Sequence, residues 1–337
     1  MASSPINSND TISDNTISND TFEMVGYYEK IFIQILASTG SVQNLMFLLA
    51  IITSAKIRRK ITFIYVINLL FAQLLLSTIT VPMFCFAPNF FLYPYVTALT
   101  IIAYTLNLCS VTYERFMAIC RPYRYSESIS YSKAVKVSIM CWLIAAFIQI
   151  LPVFWKNHPD SIIIQRIYLG ATLAIFFIAP LCIIWIAYVY ITYEIYGLGK
   201  ANDTVITIVT KSQPSNESIH LDNNNNKLNR KKNIFNIFNR VNISRPRQEF
   251  QLAAVFIAAA VASSITWVPV ILMVFLQVID RTDLEPESLS KIHIYLLVMN
   301  ANLDPLLYGM FLKPLRLRLF GIFFGTVKKF PKNNGKV

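Results

Sequence analysis

One uncharged stretch decides the fold of this chain. Residues 61–113 read ITFIYVINLLFAQLLLSTITVPMFCFAPNFFLYPYVTALTIIAYTLNLCSVTY and contain no Asp, Glu, Lys or Arg. About 20 apolar residues span the hydrocarbon core of a bilayer, so this stretch is long enough to cross twice. Pro82, Pro88, Asn89 and Pro94 interrupt it near its middle and predict a short loop. The stretch therefore predicts two membrane helices joined by that loop.

The rest of the chain repeats this pattern. Four other runs lack charged residues: 31–55, 137–155, 167–193 and 250–279. Each has room for one membrane helix. A seventh helix is predicted for residues 288–312, where only Lys291 and Asp304 are charged. With 55% hydrophobic and 14% charged residues, the chain is predicted to be an all-α membrane protein with a bundle of seven transmembrane helices.

The basic residues predict the orientation of the bundle. Lys and Arg accumulate in the short loops on the cytoplasmic side of a membrane. With the N-terminus extracellular, the inner segments hold 25 of the 30 Lys and Arg residues. The net charge of +12 is then mainly a topology signal, with attraction to anionic lipid as a second consequence. Binding to nucleic acid is not expected.

These observations divide the chain into three parts. Residues 1–26 are an extracellular tail, in which Asn9 and Asn19 match the N-glycosylation pattern. Residues 27–312 form the bundle, interrupted by a polar segment, 197–248, that is predicted to be mostly disordered. This segment is either a solvated linker or a surface for cytosolic partners and kinases. Residues 313–337 form a cytoplasmic tail that begins as an amphipathic helix, although its alternating leucines would also suit a strand.

Every predicted helix carries a landmark residue or motif. The landmarks are Asn44 in the first helix, Asn68-Leu69 in the second, Glu114-Arg115-Phe116 in the third, Trp142 and Pro152 in the fourth, Pro180 and Tyr188 in the fifth, Thr266-Trp267-Val268-Pro269 in the sixth, and Asn300 with Asp304-Pro305-Leu306-Leu307-Tyr308 in the seventh. Together they resemble the rhodopsin-like, class A, G-protein-coupled receptors. The group in the third helix resembles the Asp/Glu-Arg-Tyr stretch of that family, and the group in the seventh resembles Asn/Asp-Pro-x-x-Tyr.

A switch is expected at the inner ends of the third and sixth helices. Proline removes a backbone hydrogen bond and kinks a helix, so Pro180, Pro269 and Pro305 predict bends. Glu249 lies 20 residues before Pro269, about 30 Å along a helix, and therefore at the inner end of the sixth helix. We predict that Glu249 pairs with Arg115 at rest.

The resemblance implies how this switch would work. Glu114 would orient Arg115, and an agonist would favour a state in which the sixth helix swings outward and frees Arg115 for the G protein. Tyr188 and Tyr308 would then turn inward. The simpler alternative is that Glu249 is an interfacial charge and Arg115 a cation that reaches towards the membrane surface.

The chain departs from the family pattern at three places. Gln73 replaces the usual Asp of the second helix, which weakens any sodium site, although Asn44, Asn300 and Asp304 offer substitute polar contacts. The usual outer disulfide cannot form, because no Cys stands near the outer end of the third helix. Ser263 replaces the aromatic residue four before Trp267, and Thr105 lies where the third helix usually meets it.

The ligand is expected among the outer halves of the third, fifth, sixth and seventh helices. Candidate contacts are Thr97, Ile101, Gln149, Trp267, Gln277, Lys291 and Tyr295. Thr97 stands where receptors for biogenic amines carry Asp, and Val298 where opsins carry the retinal Lys, so both ligand classes are disfavoured. Lys291 is either an anion contact or an exposed rim charge, and Trp267 is either a switch or core packing.

The leading functional prediction is a plasma-membrane receptor for a peptide or a small chemosensory molecule. Its expected partners are a heterotrimeric G protein, arrestin, receptor kinases and membrane lipid. The alternative is a seven-helix channel or transporter, but the chain shows no inverted repeat. No cofactor, metal site or enzymatic activity is predicted, because the histidines, His158, His220 and His293, are scattered.

Overall fold

Seven long helices dominate the computed structural model, which describes residues 8–155, 160–211 and 253–323. The helices are α1 (Ser8–Ile52), α2 (Ile61–Phe86), α3 (Tyr93–Cys120), α4 (Tyr131–Phe154), α5 (Ser161–Leu173, Ala174–Ile178 and Ala179–Lys211), α6 (Ala253–Val278) and α7 (Glu287–Phe311). A short helix, α8 (Lys313–Phe323), follows α7. The prediction of a seven-helix bundle with a short helix after the seventh span is confirmed.

Six of these helices contain a segment long and apolar enough to cross a bilayer; in α1 that segment is Gly26–Ile52. The seventh, α7, is more polar but is bound into the same bundle. The amide nitrogen of Asn44 on α1 donates to the carbonyl oxygen of Ala301 at 2.9 Å. Asn302 on α7 donates in return to the carbonyl oxygen of Leu36 at 3.1 Å. These bonds fix α1 and α7 side by side.

α3 is the central helix and packs against α2, α4 and α5. Most of its side chains from Thr100 to Ile119 are buried, including Glu114 and Arg115. The outward faces of α4 and α5 expose large apolar side chains such as Phe147 and Ile186. Such an exposed apolar surface is what a lipid-facing helix requires.

Two helices contain a single π-helical turn, each shortly before a proline. Leu76–Thr80 in α2 precedes Pro82, and Ala174–Ile178 in α5 precedes Pro180. A proline ring collides with the carbonyl group four residues earlier and donates no hydrogen bond. A widened π turn accommodates both defects. Pro180 therefore does distort α5, through a π turn placed just before it.

Polar contacts hold the outer ends of the helices together. All five cysteines are unpaired. A guanidinium nitrogen of Arg166 on α5 lies 2.5 Å from a carboxylate oxygen of Asp280, and Lys291 pairs with Glu29 at 3.2 Å. The indole of Trp155 donates to Gln165 at 3.0 Å, which joins α4 to α5.

The inner segments are only partly within the described residues. The fifth helix continues to Lys211 and so includes the first residues of the polar segment 197–248. The rest of that segment and Glu249 lie outside the described residues. The alternating leucines after residue 313 belong to a helix, and Leu315 is buried beneath it. The strand alternative is therefore wrong.

Candidate functional site

A buried ion pair occupies the inner end of α3. The Nε of Arg115 donates to Oε2 of Glu114 at 2.6 Å, and a second guanidinium nitrogen donates to Oε1. The same guanidinium nitrogen donates to the hydroxyl of Thr62 on α2 at 2.6 Å, and that hydroxyl donates to Glu114 at 3.2 Å. Tyr125, on the short helix Pro122–Ser128, adds a hydrogen bond to Oε1 of Glu114 at 2.7 Å.

These hydrogen bonds provide polar partners for both charged side chains, which are buried and therefore shielded from bulk water. A buried ion pair is tolerated when good geometry and additional hydrogen bonds offset its desolvation. Thr62 and Tyr125 supply those additional bonds. Glu114 is thus paired with Arg115 in this structure, while its role in orienting Arg115 for a switch and the pairing of Arg115 with Glu249 stay predictions.

A second polar cluster lies at the centre of the bundle and joins four helices. Oδ2 of the fully buried Asp304 on α7 accepts from Nε2 of Gln73 on α2 at 3.1 Å. It also accepts from the hydroxyl of Tyr104 on α3 at 2.8 Å. The Tyr104 oxygen lies 3.1 Å from the hydroxyl oxygen of Ser263 on α6. Oδ1 of Asp304 accepts no hydrogen bond within the described residues.

The predicted polar residues Asn44 and Asn300 lie close to this cluster. Asn44 donates to two carbonyl oxygens, that of Gly40 at 2.8 Å and that of Ala301 at 2.9 Å. Asn300 is buried and lines a small cavity together with Gln73. The structure thus places Asn300 beside the Asp304 cluster, whereas the hydrogen bonds of Asn44 go to backbone carbonyl oxygens.

The two motif tyrosines are already inside the bundle. Tyr188 on α5 is buried, and its hydroxyl oxygen accepts from Thr112 on α3 at 3.1 Å. Tyr308 on α7 is fully buried, with its ring 6.2 Å from that of Phe256 on α6. The inward turn expected of both tyrosines on opening is therefore already present in this conformation.

Trp267 lies directly outward of the central cluster. Its ring meets that of Tyr104 edge-on at 6.1 Å and that of Phe177 on α5 at 6.3 Å. Pro269 follows two residues later on the same helix and is buried. Trp267 therefore contacts both α3 and α5 at the level where α6 contains its proline.

A model of the 7 transmembrane receptor (rhodopsin family) matches residues 43–308, which include every motif described above from Asn44 to Tyr308. This chain belongs to the rhodopsin family of seven-transmembrane receptors. It is a multi-pass membrane receptor.

Curated relatives of this receptor agree on the family. Cannabinoid receptor 1 of Xenopus laevis is 24% identical over 307 residues, which are 86% of this chain and 61% of the relative. The D(1B) dopamine receptor of Rattus norvegicus is 28% identical over 127 residues, or 35% of this chain and 27% of the relative. The receptor thus spans about three fifths of the length of the first of these relatives and about a quarter of the second.

The crystal structure of squid rhodopsin shows the same fold. It matches with a TM-score of 0.67 at 15% identity, covering 90% of this receptor and 87% of the squid chain. At this identity the likeness concerns the fold alone.

The predicted ligand contacts are only partly brought together in this receptor. Ile101 and Trp267 line the small cavity above the central cluster, together with Thr100 and Leu297. The cavity volume is about 10 Å³, which is room for roughly one water molecule. Sites for small molecules usually measure about 300–1,000 Å³, so the cavity is closed in this conformation.

The other candidate contacts lie away from this cavity. Thr97 is half-buried and its hydroxyl donates to the carbonyl of Tyr93 on its own helix at 2.7 Å. Lys291 pairs with Glu29, in accord with the rim-charge alternative. Gln149 is buried, Tyr295 is half-buried and Gln277 is exposed.

Sequence reasoning missed Tyr104, whose hydroxyl contacts both Asp304 on α7 and Ser263 on α6. It singled out the neighbouring Thr105, whose hydroxyl donates only to the carbonyl of Ile101 at 2.8 Å. Tyr104 precedes Arg115 by 11 residues, close to three helical turns, so the two share one face of α3. That periodicity was the available signal. Thr62 and Tyr125 carried no comparable signal.

Proposed function

We propose that this receptor binds an extracellular ligand in the outer half of the bundle and activates a heterotrimeric G protein at the plasma membrane. Opening of the inner end of α6 would expose the binding surface for the G protein. The receptor would promote nucleotide exchange on its partner and catalyse no reaction of its own. The observation that carries this proposal is the buried Glu114–Arg115 pair at the inner end of α3, which is hydrogen-bonded to Thr62 and Tyr125.

Such a pair is suited to a switch. The family resemblance assigns this position to the inner contact between α3 and α6. Burying two charges contributes little to stability even when the pair is well bonded. Its partners come from α2 and from the short helix after α3, so a movement of either segment changes the environment of Arg115.

The short helix Pro122–Ser128 supplies a docking surface beside this switch. Tyr125 points inward to Glu114, whereas the side chain of Tyr123 is 93% exposed. The exposed cations Arg121 and Arg124 flank Tyr123. An exposed aromatic side chain between arginines is typical of the anchoring residues of protein interfaces. We infer that the G protein contacts Tyr123.

The ligand class follows from the outer half of the bundle. Thr97 offers a hydroxyl where amine receptors carry a carboxylate, so the dopamine named in one relative is disfavoured here. The closed cavity requires either a ligand that opens it or one that binds at the outer rim. We propose a peptide or a small chemosensory molecule whose binding does not require a positively charged group on the ligand.

We also propose arrestin, receptor kinases and membrane lipid as partners. Arrestin and receptor kinases would use the inner segments that the G protein also contacts. Membrane lipid would contact α8, which exposes Lys313 and Arg316. The family shown here disfavours the channel or transporter alternative.

The test is ligand-independent G-protein activation in cells, measured across several Gα classes at matched surface expression. Glu249→Gln should raise activity by removing the predicted partner of Arg115, and Arg115→Ala should abolish it. Arg58→Ala is the matched control, because Arg58 is an exposed inner arginine that donates to the carbonyl of Ile52. Silence of every variant despite surface delivery would contradict the proposal.

A further inference from the structure

We propose that the Tyr104 hydroxyl is a latch that fastens α6 to α3 and α7 in the conformation described here, and that the outward swing of α6 breaks its bond to Ser263. This inference deepens the proposed function and depends on it, because it concerns the same opening of α6.

The hydroxyl is placed to bridge the two helices. The Tyr104 side chain is buried on α3, with its oxygen 2.8 Å from Oδ2 of Asp304 and 3.1 Å from Oγ of Ser263. A phenol has one proton to donate. Since the carboxylate on α7 can only accept, that proton lies towards Asp304.

The bond to α6 therefore uses the proton of Ser263. That proton is shared between the Tyr104 oxygen at 3.1 Å and the carbonyl oxygen of Ala259 on the same helix, at 2.8 Å. When α6 moves, the Ser263 hydroxyl remains satisfied by Ala259. Breaking the latch on the α6 side consequently leaves no orphaned donor, which makes it easily reversible.

The position of Ser263 on α6 makes the bond sensitive to small movements. Ser263 lies six residues inward of Pro269, about 9 Å along the helix, whereas Glu249 lies about 30 Å inward. If α6 turns as a rigid lever about Pro269, stretching the 3.1 Å contact by about 0.5 Å, to the limit of a hydrogen bond, corresponds to about 1.7 Å at Glu249. The latch would thus open near the beginning of the swing.

The same tyrosine connects the latch to the outer half of the bundle. Its ring meets that of Trp267 edge-on at 6.1 Å, and Trp267 lines the small cavity beside Ile101. A ligand that enlarges this cavity displaces some of its lining side chains, and both rings are among them. Displacement of the Trp267 ring changes the packing of Tyr104 and weakens its contact with Ser263.

Tyr104→Phe tests the latch, because it removes the hydroxyl and keeps the ring. We expect basal G-protein activation to rise by about fivefold, the shift that one net hydrogen bond produces in a two-state equilibrium. Ser263→Ala should raise it similarly, and the double variant should rise no further than either single one. Tyr113→Phe, on the exposed face of the same helix, is the matched control and should resemble the wild type.

A distance measurement on the full chain tests the latch without a G protein. Genetically encoded spin labels at Lys133, on the inner end of α4, and at Ala254, on the inner end of α6, report how far α6 has moved. Tyr104→Phe should increase the population with the longer distance, and Tyr113→Phe should not. An unchanged distribution in Tyr104→Phe overturns the latch whatever the signalling result. A shifted distribution with silent signalling supports the latch and counts against G-protein coupling.

Discussion

Removing the Thr62 hydroxyl should release the arginine of the switch. Thr62 lies on α2, and its side chain accepts a hydrogen bond from Arg115 at 2.6 Å and donates one to Glu114 at 3.2 Å. Thr62→Val keeps the shape of this nearly buried side chain and deletes both bonds. The Arg115 guanidinium then loses its hydrogen bond to α2 and keeps those to Glu114 on α3.

The magnitude follows from the charge of the donor. A hydrogen bond to a charged group contributes about 1.5–3 kcal/mol. If the bond exists only in the closed state, its loss shifts the equilibrium between closed and open states by about 10- to 150-fold. Basal G-protein activation should rise towards its ceiling, and the thermal midpoint of the purified receptor should fall.

Energy transfer between labelled Gα and Gβγ subunits measures this activation in cells at matched surface expression. Thr62→Ser, which keeps the hydroxyl, should behave as the wild type. Thr53→Val is a second control, since Thr53 lies at the inner end of α1 and donates only to the carbonyl of Leu49 at 2.7 Å. Basal activity at the wild-type level in Thr62→Val, with raised activity in Glu249→Gln, would refute the reasoning.

Three further predictions concern packing, the outer mouth and the tail. Gly309→Ala places a Cβ 2.9 Å from the ring of Phe47 and should lower stability by about 1–3 kcal/mol, with partial recovery by Phe47→Leu in thermal unfolding. Asp280→Asn breaks an exposed ion pair, and since such pairs contribute about 0–1 kcal/mol, the thermal midpoint should change little. Glycosidase treatment should increase the gel mobility of the wild type but not of a variant with Asn9→Gln and Asn19→Gln.

The helices were predictable because the bilayer restricts which residues a spanning segment can contain. In hydrocarbon, the backbone N–H and C=O groups of a single uncharged run find hydrogen-bond partners when the run forms a helix. Uncharged runs of sufficient length therefore predict spanning helices. The run 31–55 accordingly covers the last part of α1, which ends at Ile52, and the run 250–279 covers α6. α7 was predicted in spite of Lys291 and Asp304, and both charges have acceptable environments: an outer ion pair and a buried polar cluster.

The site was predictable only where a residue type is costly in a membrane. Glu114, Arg115 and Asp304 stood out because charge inside a bilayer requires partners. The partners themselves, Thr62 and Tyr104, are ordinary residues of membrane helices. Their roles depend on which helices become neighbours in the bundle. Residue type and spacing along the chain do not indicate those neighbours.

The two π turns also separate the inner and outer halves of their helices. A π turn accommodates one more residue than an α-helical turn, so every side chain beyond it is rotated by about 100° relative to a continuous α-helix. In α2 and α5 the residues that face the ligand region are therefore set independently of those that pack around the switch. Single-residue insertions or deletions at 76–80 or 174–178 would re-aim the outer surface while the signalling half keeps its register.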